Sequence, residues 1–168
     1  MNFIYHRVPQ NMRGDVLFPL NVLKEKYPEV YDQAAAKYAG REHVLQRKIP
    51  FLDCLWNDVI HFSPVHPSEI KKALAEAGSD RIFEFFQVDA EALPPENTLV
   101  YLHHGWEEKD FISFDPEELR QFSHMPETTK EYYREMISEN KSPLLFHGIP
   151  HVLYKGSLDT HGFRKIKV

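Results

Sequence analysis

The chain lacks most of the features that announce a chemistry on sight. Among its 168 residues there is one cysteine, Cys54, so no intrachain disulfide can form and no Cys-pair metal site exists. Its 7 glycines are scattered, and no glycine-rich loop is present to cradle a phosphate. No Gly-x-Ser-x-Gly elbow carries a serine nucleophile. No apolar run approaches the roughly 18 residues of a membrane-spanning helix. Met1–His6 has neither the basic nor the apolar region of a secretory leader. These absences read as a cytoplasmic protein without a membrane partner, with leaderless export left open. Positive charge is also in deficit. A net charge of −5 and a pI near 6.0 argue against whole-molecule attraction to nucleic acid. The one basic cluster, Arg164, Lys165 and Lys167, reads as a charged edge strand.

What is present suits an ordinary folded protein. Hydrophobic residues make up 42% of the chain and charged ones 27%, enough for one domain spanning residues 1–168 with a sizeable core. The 12 Phe and 8 Tyr fit a sheet-rich, aromatic interior. Phe3–Val8 reads as a strand, and Tyr27, Val30, Tyr31, Ala34, Ala35 and Tyr38 recur at helical spacing between Pro28 and Gly40. Val59–Phe62 reads as a short strand entered through a turn at Asn57-Asp58. A helix follows, faced by Ile70, Ala73, Leu74 and Ala77 and closed by Gly78. Arg81–Val88 has the apolar content of a central strand. Leu99–His103 and Asp110–Phe114 form a predicted hairpin. Asp115-Pro116-Glu117 opens a further helix, and Glu127–Ser138 forms the next, with Tyr132, Met136 and Ile137 facing inward. Two apolar strands, Leu144–Phe146 and Val152–Tyr154, flank a Gly-Ile-Pro kink, and Phe163–Val168 closes the chain. Strands and helices on so uneven a schedule predict an α+β fold rather than alternating βα units.

The residues available for chemistry are mostly histidines. His147 and His151 bracket the kink, where a break in the ladder can lift imidazoles toward a ligand. Asp53, Asn57, Asp58 and His61 sit inside an apolar, β-prone run. They serve either as turn caps or as a ligand-contacting loop. Cys54, between Asp53 and Leu55, reads as a buried structural thiol. No metal-ligand set is assigned, because the histidine spacings show no HExxH pattern. A metal-dependent hydrolase on His61, His103, His147 and His151 stands as an alternative.

Three stretches resemble the ADP-ribosyltransferase-like superfamily. Ile4-Tyr5-His6-Arg7, followed by Gly14-x-Val16-Leu17, resembles its first core strand and return turn. Val59-Ile60-His61-Phe62-Ser63 before a helix resembles its second conserved strand. Val152-Leu153-Tyr154-Lys155-Gly156-Ser157-Leu158 with Ile166-Lys167-Val168 resembles its closing strand pair. The resemblance implies short mixed or antiparallel strands in two packed half-sheets with three or four helices, and NAD or another nucleotide as ligand. It implies His6, His151 and Tyr154 as catalytic candidates. Arg7, Asn57, Asp58, His61, Phe62, Ser63 and His147 would join His6 in holding the cofactor. A macromolecular acceptor is left unidentified, and a non-catalytic binding module on the same scaffold is the alternative. One departure is chemical: where the family places a glutamate, this chain has His151. A neutral imidazole keeps a hydrogen bond there but supplies none of the charge that stabilises a developing oxocarbenium ion.

Overall fold

The computed structural model describes all 168 residues. Strand β1 (Phe3–Arg7) leads through β2 (Val16–Leu17) to helices α1 (Leu20–Lys26) and α2 (Pro28–Ala35), with a tighter turn at Ala36–Tyr38. A short hairpin, β3 (Lys48–Ile49) and β4 (Cys54–Leu55), precedes β5 (Ile60–Phe62) and α3 (Pro67–Glu76). Next come β6 (Glu84–Asp89), β7 (Thr98–Tyr101), β8 (Phe111–Ser113) and α4 (Glu127–Ser138). The chain ends with β9 (His151–Tyr154), β10 (Leu158–Asp159) and β11 (Arg164–Lys167). No helix is long and apolar enough to cross a membrane.

The architecture is α+β, built on two half-sheets. One has the order β1-β6-β11 and the other β5-β9-β7-β8, and every pairing is antiparallel. β6 is central, as its apolar sequence predicts, and β7 and β8 form the predicted hairpin. Because side chains alternate across a strand, each half-sheet divides its residues between separate cores. Ile4, Ile60, Phe62, Val152 and Tyr154 share one core with Phe86 and Val88. Tyr5 and Phe85 face α3 and α4 through Ile70, Leu74 and Tyr133. Trp56, Tyr101, Phe111 and Leu153 form a third cluster with Tyr38 and Ile49.

Three expectations need correction. Leu144–Phe146 is a turn, not a strand. Leu145 is buried against the α4 core, and the Tyr133 hydroxyl donates to its carbonyl in place of a ladder partner. On α4 the fully buried residues are Thr129 and Tyr133, and Met136 is not among them. Leu20, expected to end an extended piece that starts at Val16, instead opens helix α1.

Candidate functional site

The two half-sheets touch through one bridge. Tyr5 and Ser63 exchange backbone hydrogen bonds of 2.9 Å in both directions. The same antiparallel register would set Arg7 opposite His61, but β1 and β5 form no further pairing and diverge. The backbone notch beside the bridge has His6 and Arg7 on β1 and His61 and Phe62 on β5, and within each pair the two side chains point to opposite faces. His6 packs edge-on against Phe62 at 5.7 Å between ring centroids. Its Nδ1 is buried without a hydrogen-bond partner.

Beyond β5, the register continues the site into β9 and β7, where His151 pairs with Tyr101. His151 lies 5.9 Å from His61 and 5.1 Å from His103, and His103 lies 5.9 Å from His147, all between ring centroids. Trp56 lines the same space, 4.2 Å from the His61 ring and 5.7 Å from His151. Two hydrogen bonds settle the tautomers. His61 donates Nε2–H to the Trp56 carbonyl at 2.9 Å, and His151 donates Nδ1–H to the Ile149 carbonyl at 2.6 Å. A carbonyl only accepts, so in the neutral ring the opposite nitrogen carries a bare lone pair. These are His61 Nδ1 and His151 Nε2. His103 holds a left-handed backbone with φ of 64°, a strained conformation that histidine tolerates better than most residues.

The segment that delivers His147 and His151 is clamped from α4. Thr129 donates to the His147 carbonyl at 2.8 Å, and Leu144 N–H donates to the Tyr132 hydroxyl at 3.0 Å. The Tyr132 ring stacks on His147 at 3.9 Å. Gly148 is required here twice over. Its φ is 76°, and a Cβ would stand 2.8 Å from the Thr129 hydroxyl.

The electrostatics of the notch are one-sided. Burial lowers the His6 pKa to about 4, helped by the charge of Lys37. Burial and the neighbouring His103 lower that of His151 to about 3. Burial also drives His61 well down, with His151 and Lys37 adding to it, and lowers His103 to about 4 with His147 beside it. Every charge acting on these rings and on His147 comes from another histidine, Lys37 or Arg41. No carboxylate contributes. Lys37 itself is pushed down to about 8, first by desolvation and then by Arg41 and Arg7. Its side chain is exposed to solvent. Cys54, by contrast, is buried, and burial raises its thiol to about 11, out of nucleophilic range.

The residues singled out from sequence separate into groups. His61, His147 and His151 come together, His6 and Arg7 lie on β1 across the backbone notch, and Phe62 is a fully buried wall beside His6. Tyr154 does not join them. Three positions along β9 from His151, it points to the opposite face, into the core with Ile60 and Phe62, so it is no catalytic partner of His151. Ser63 is buried, and its hydroxyl accepts from Val65 N–H at 3.0 Å. Asp58 caps the turn before β5, accepting from Leu55 N–H at 2.7 Å and from the Asn21 amide at 2.8 Å. Both are structural. Asn57 is buried with its Oδ1 unpartnered. The histidines give no set of three ligands arranged to hold a metal ion.

Sequence reasoning missed Lys37, Arg41, Trp56 and Tyr101. One signal was present for the first two. Lys37 and Arg41 stand four apart at the end of a helical run, a like-charge spacing that opposes helix formation. Two surface hollows, of about 410 Å³ beside Arg13 and Glu29 and about 490 Å³ beside Phe51 and Phe111, contain none of the histidines. The notch is set apart instead by unpaired polar atoms and charge, the better guide to chemistry. Compared with protein-family models, curated proteins and solved structures, the chain matches none.

Proposed function

We propose that the protein is an enzyme that binds a nicotinamide dinucleotide or related nucleotide in the notch and acts on its ribosyl or phosphoryl group. The observation that carries this reading is the pair of bare imidazole nitrogens, His61 Nδ1 and His151 Nε2, held beside Trp56 and Tyr101. Two fixed acceptors suit the hydroxyls of a ribose. The aromatic wall suits stacking of a base. The resemblance to the ADP-ribosyltransferase-like superfamily points the same way.

The chemistry favoured is phosphate handling over glutamate-dependent ribosyl transfer. Stabilising an oxocarbenium ion calls for negative charge, and no carboxylate acts on the histidines. Rings held neutral this firmly are weak bases at pH 7 but dependable hydrogen-bond acceptors. An anionic ligand beside them would restore part of their basicity. The missing carboxylate also favours a second reading, a nucleotide-binding module without turnover. The cytoplasmic location expected from the sequence belongs to either reading.

Calorimetry with the dinucleotide, ADP-ribose and nucleoside diphosphates tests the binding. Saturable binding of at least one, weakened about tenfold or more by His61→Leu, supports the nucleotide reading. No binding by any of them removes it. Chromatography of the incubated ligand then separates the two readings: loss of nicotinamide or of phosphate marks an enzyme, and an intact ligand marks a module.

A further inference from the structure

The cations at the mouth of the notch have no counter-ion in the protein. Seven ion pairs are formed across the molecule, and none includes Arg7, Lys37 or Arg41. Only five of the 20 lysines and arginines are paired at all, so what distinguishes Lys37 and Arg41 is their gathering on one ring, not the missing ion pair. The gathering is built into the fold. Lys37 Nζ lies 5.3 Å and Arg41 Cζ 5.5 Å from the centroid of the Tyr38 ring. Arg41 also donates to the Lys37 carbonyl at 3.0 Å. Tyr38 is buried, and its hydroxyl accepts from Trp56 Nε1 at 3.0 Å. That bond ties the cationic turn to the tryptophan lining the histidines. Arg7, on β1, sits apart from that ring, over Phe83 at 4.9 Å, which it shares with Arg81 at 5.3 Å. Its charge and that of Arg41 both bear on Lys37, and no carboxylate offsets them.

Like charges brought together and partly desolvated raise the free energy of the empty site, and a multivalent anion relieves that cost. Planar guanidinium groups match phosphate oxygens in geometry, and a lysine adds a compact point charge. We infer that Lys37 and Arg41, held together on the Tyr38 ring, form a site for a pyrophosphate-type anion. The anion would be the phosphates of the nucleotide proposed above, so its identity as part of a nucleotide rests on that reading. The division of labour is complementary. The imidazoles carry acceptors for hydroxyls, the aromatic wall carries a face for a base, and the Tyr38 turn carries the charge for phosphates.

The test is titration of inorganic pyrophosphate into the full chain at low salt, followed by calorimetry. Saturable binding is expected, weakened about tenfold by Lys37→Gln or Arg41→Gln, the loss of roughly one charge-assisted hydrogen bond. Arg13→Gln, which removes an arginine already paired with Glu29, should leave it unchanged. Thermal midpoints of the variants check that folding is intact. A second readout is the ¹³C resonance of reductively methylated Lys37, which should titrate near pH 8 in the free protein and move upward with pyrophosphate. Binding that leaves this titration in place, or that Arg13→Gln weakens equally, overturns the site. Dinucleotide binding unaffected by Lys37→Gln and Arg41→Gln keeps the nucleotide and removes the anion site. Lys37-dependent pyrophosphate binding with no nucleotide bound keeps the anion site and removes the nucleotide. Binding of neither overturns both.

Discussion

On the α4 side of the molecule, the hydroxyls of Thr129, Tyr132 and Tyr133 are each matched to a backbone group of residues 144–147. Across the same segment, the notch treats its polar atoms in the opposite way. His6 Nδ1 and Asn57 Oδ1 are buried without partners, His61 and His151 each keep one ring nitrogen uncommitted, and the nearby cations have no carboxylate. Both regions rest on aromatic packing, so the difference lies in hydrogen bonding and charge. A saturated network contributes to stability, whereas an unsaturated one costs free energy. Departures of that kind concentrate where a ligand completes what the fold leaves open.

Among substitutions, the largest loss of stability that would separate the two regions is expected at Gly148. Gly148→Ala forces a side chain onto a backbone with φ of 76° and a Cβ to 2.8 Å from Thr129 Oγ1. Urea unfolding should record a loss of about 3 kcal/mol, combining left-handed strain with overpacking. A loss under about 1 kcal/mol would mean that the clamp yields easily and does not set the position of His147.

Acid should single out the notch. Above the ordinary histidine pKa of 6.5 the imidazoles are neutral in both folded and unfolded chains. Below it the unfolded chain takes up protons that the buried rings resist. Stability is therefore greatest above pH 6.5 and declines as pH falls toward the native values of about 4 for His6 and about 3 for His151. The loss between pH 6.5 and 4 from His6 and His151 together should be on the order of 6 kcal/mol. His151→Asn, whose amide can still donate to the Ile149 carbonyl, should reduce that loss by about 3 kcal/mol. An acid profile identical to the parent's would show that His151 exchanges its proton freely in the folded protein.

The smallest effect has the opposite sign. His6→Leu removes an unpartnered buried nitrogen and keeps apolar volume beside Phe62. Thermal unfolding at neutral pH should show stabilisation of about 1 kcal/mol, together with weaker nucleotide binding. Destabilisation by a similar amount would place His6 with the saturated network and remove it from the site.

Much of the fold was legible in the chain. The hairpin of β7 and β8, the central β6 and the amphipathic α3 follow from periodicity, Gly and Pro signals and alternating burial, all local properties. Leu144–Phe146 was misread because a short apolar run looks alike whether a strand ladder or a tyrosine hydroxyl satisfies its carbonyls. At the site, sequence spacing picked out His6, His61, His147 and His151 as polar groups at breaks in apolar runs. The family resemblance grouped Tyr154 with His151, although strand alternation over three positions sends the two side chains to opposite faces. Lys37 and Arg41 lie more than a hundred residues from His151 in the chain, and no local pattern links them.

By itself, then, the sequence determined the α+β class, the main strands and helices, and the lack of glycine loops, cysteine pairs and a membrane span. Those properties depend on composition and on neighbours a few residues apart. Only the tertiary structure decided that β1 and β5 part after one bridge, that four histidines from four segments face one another, and that Lys37 and Arg41 stand over them without a counter-ion. Those depend on register between distant strands and on burial in a shared low-dielectric space, which shifts the imidazoles and Lys37 through charges that adjacency in sequence never brings together.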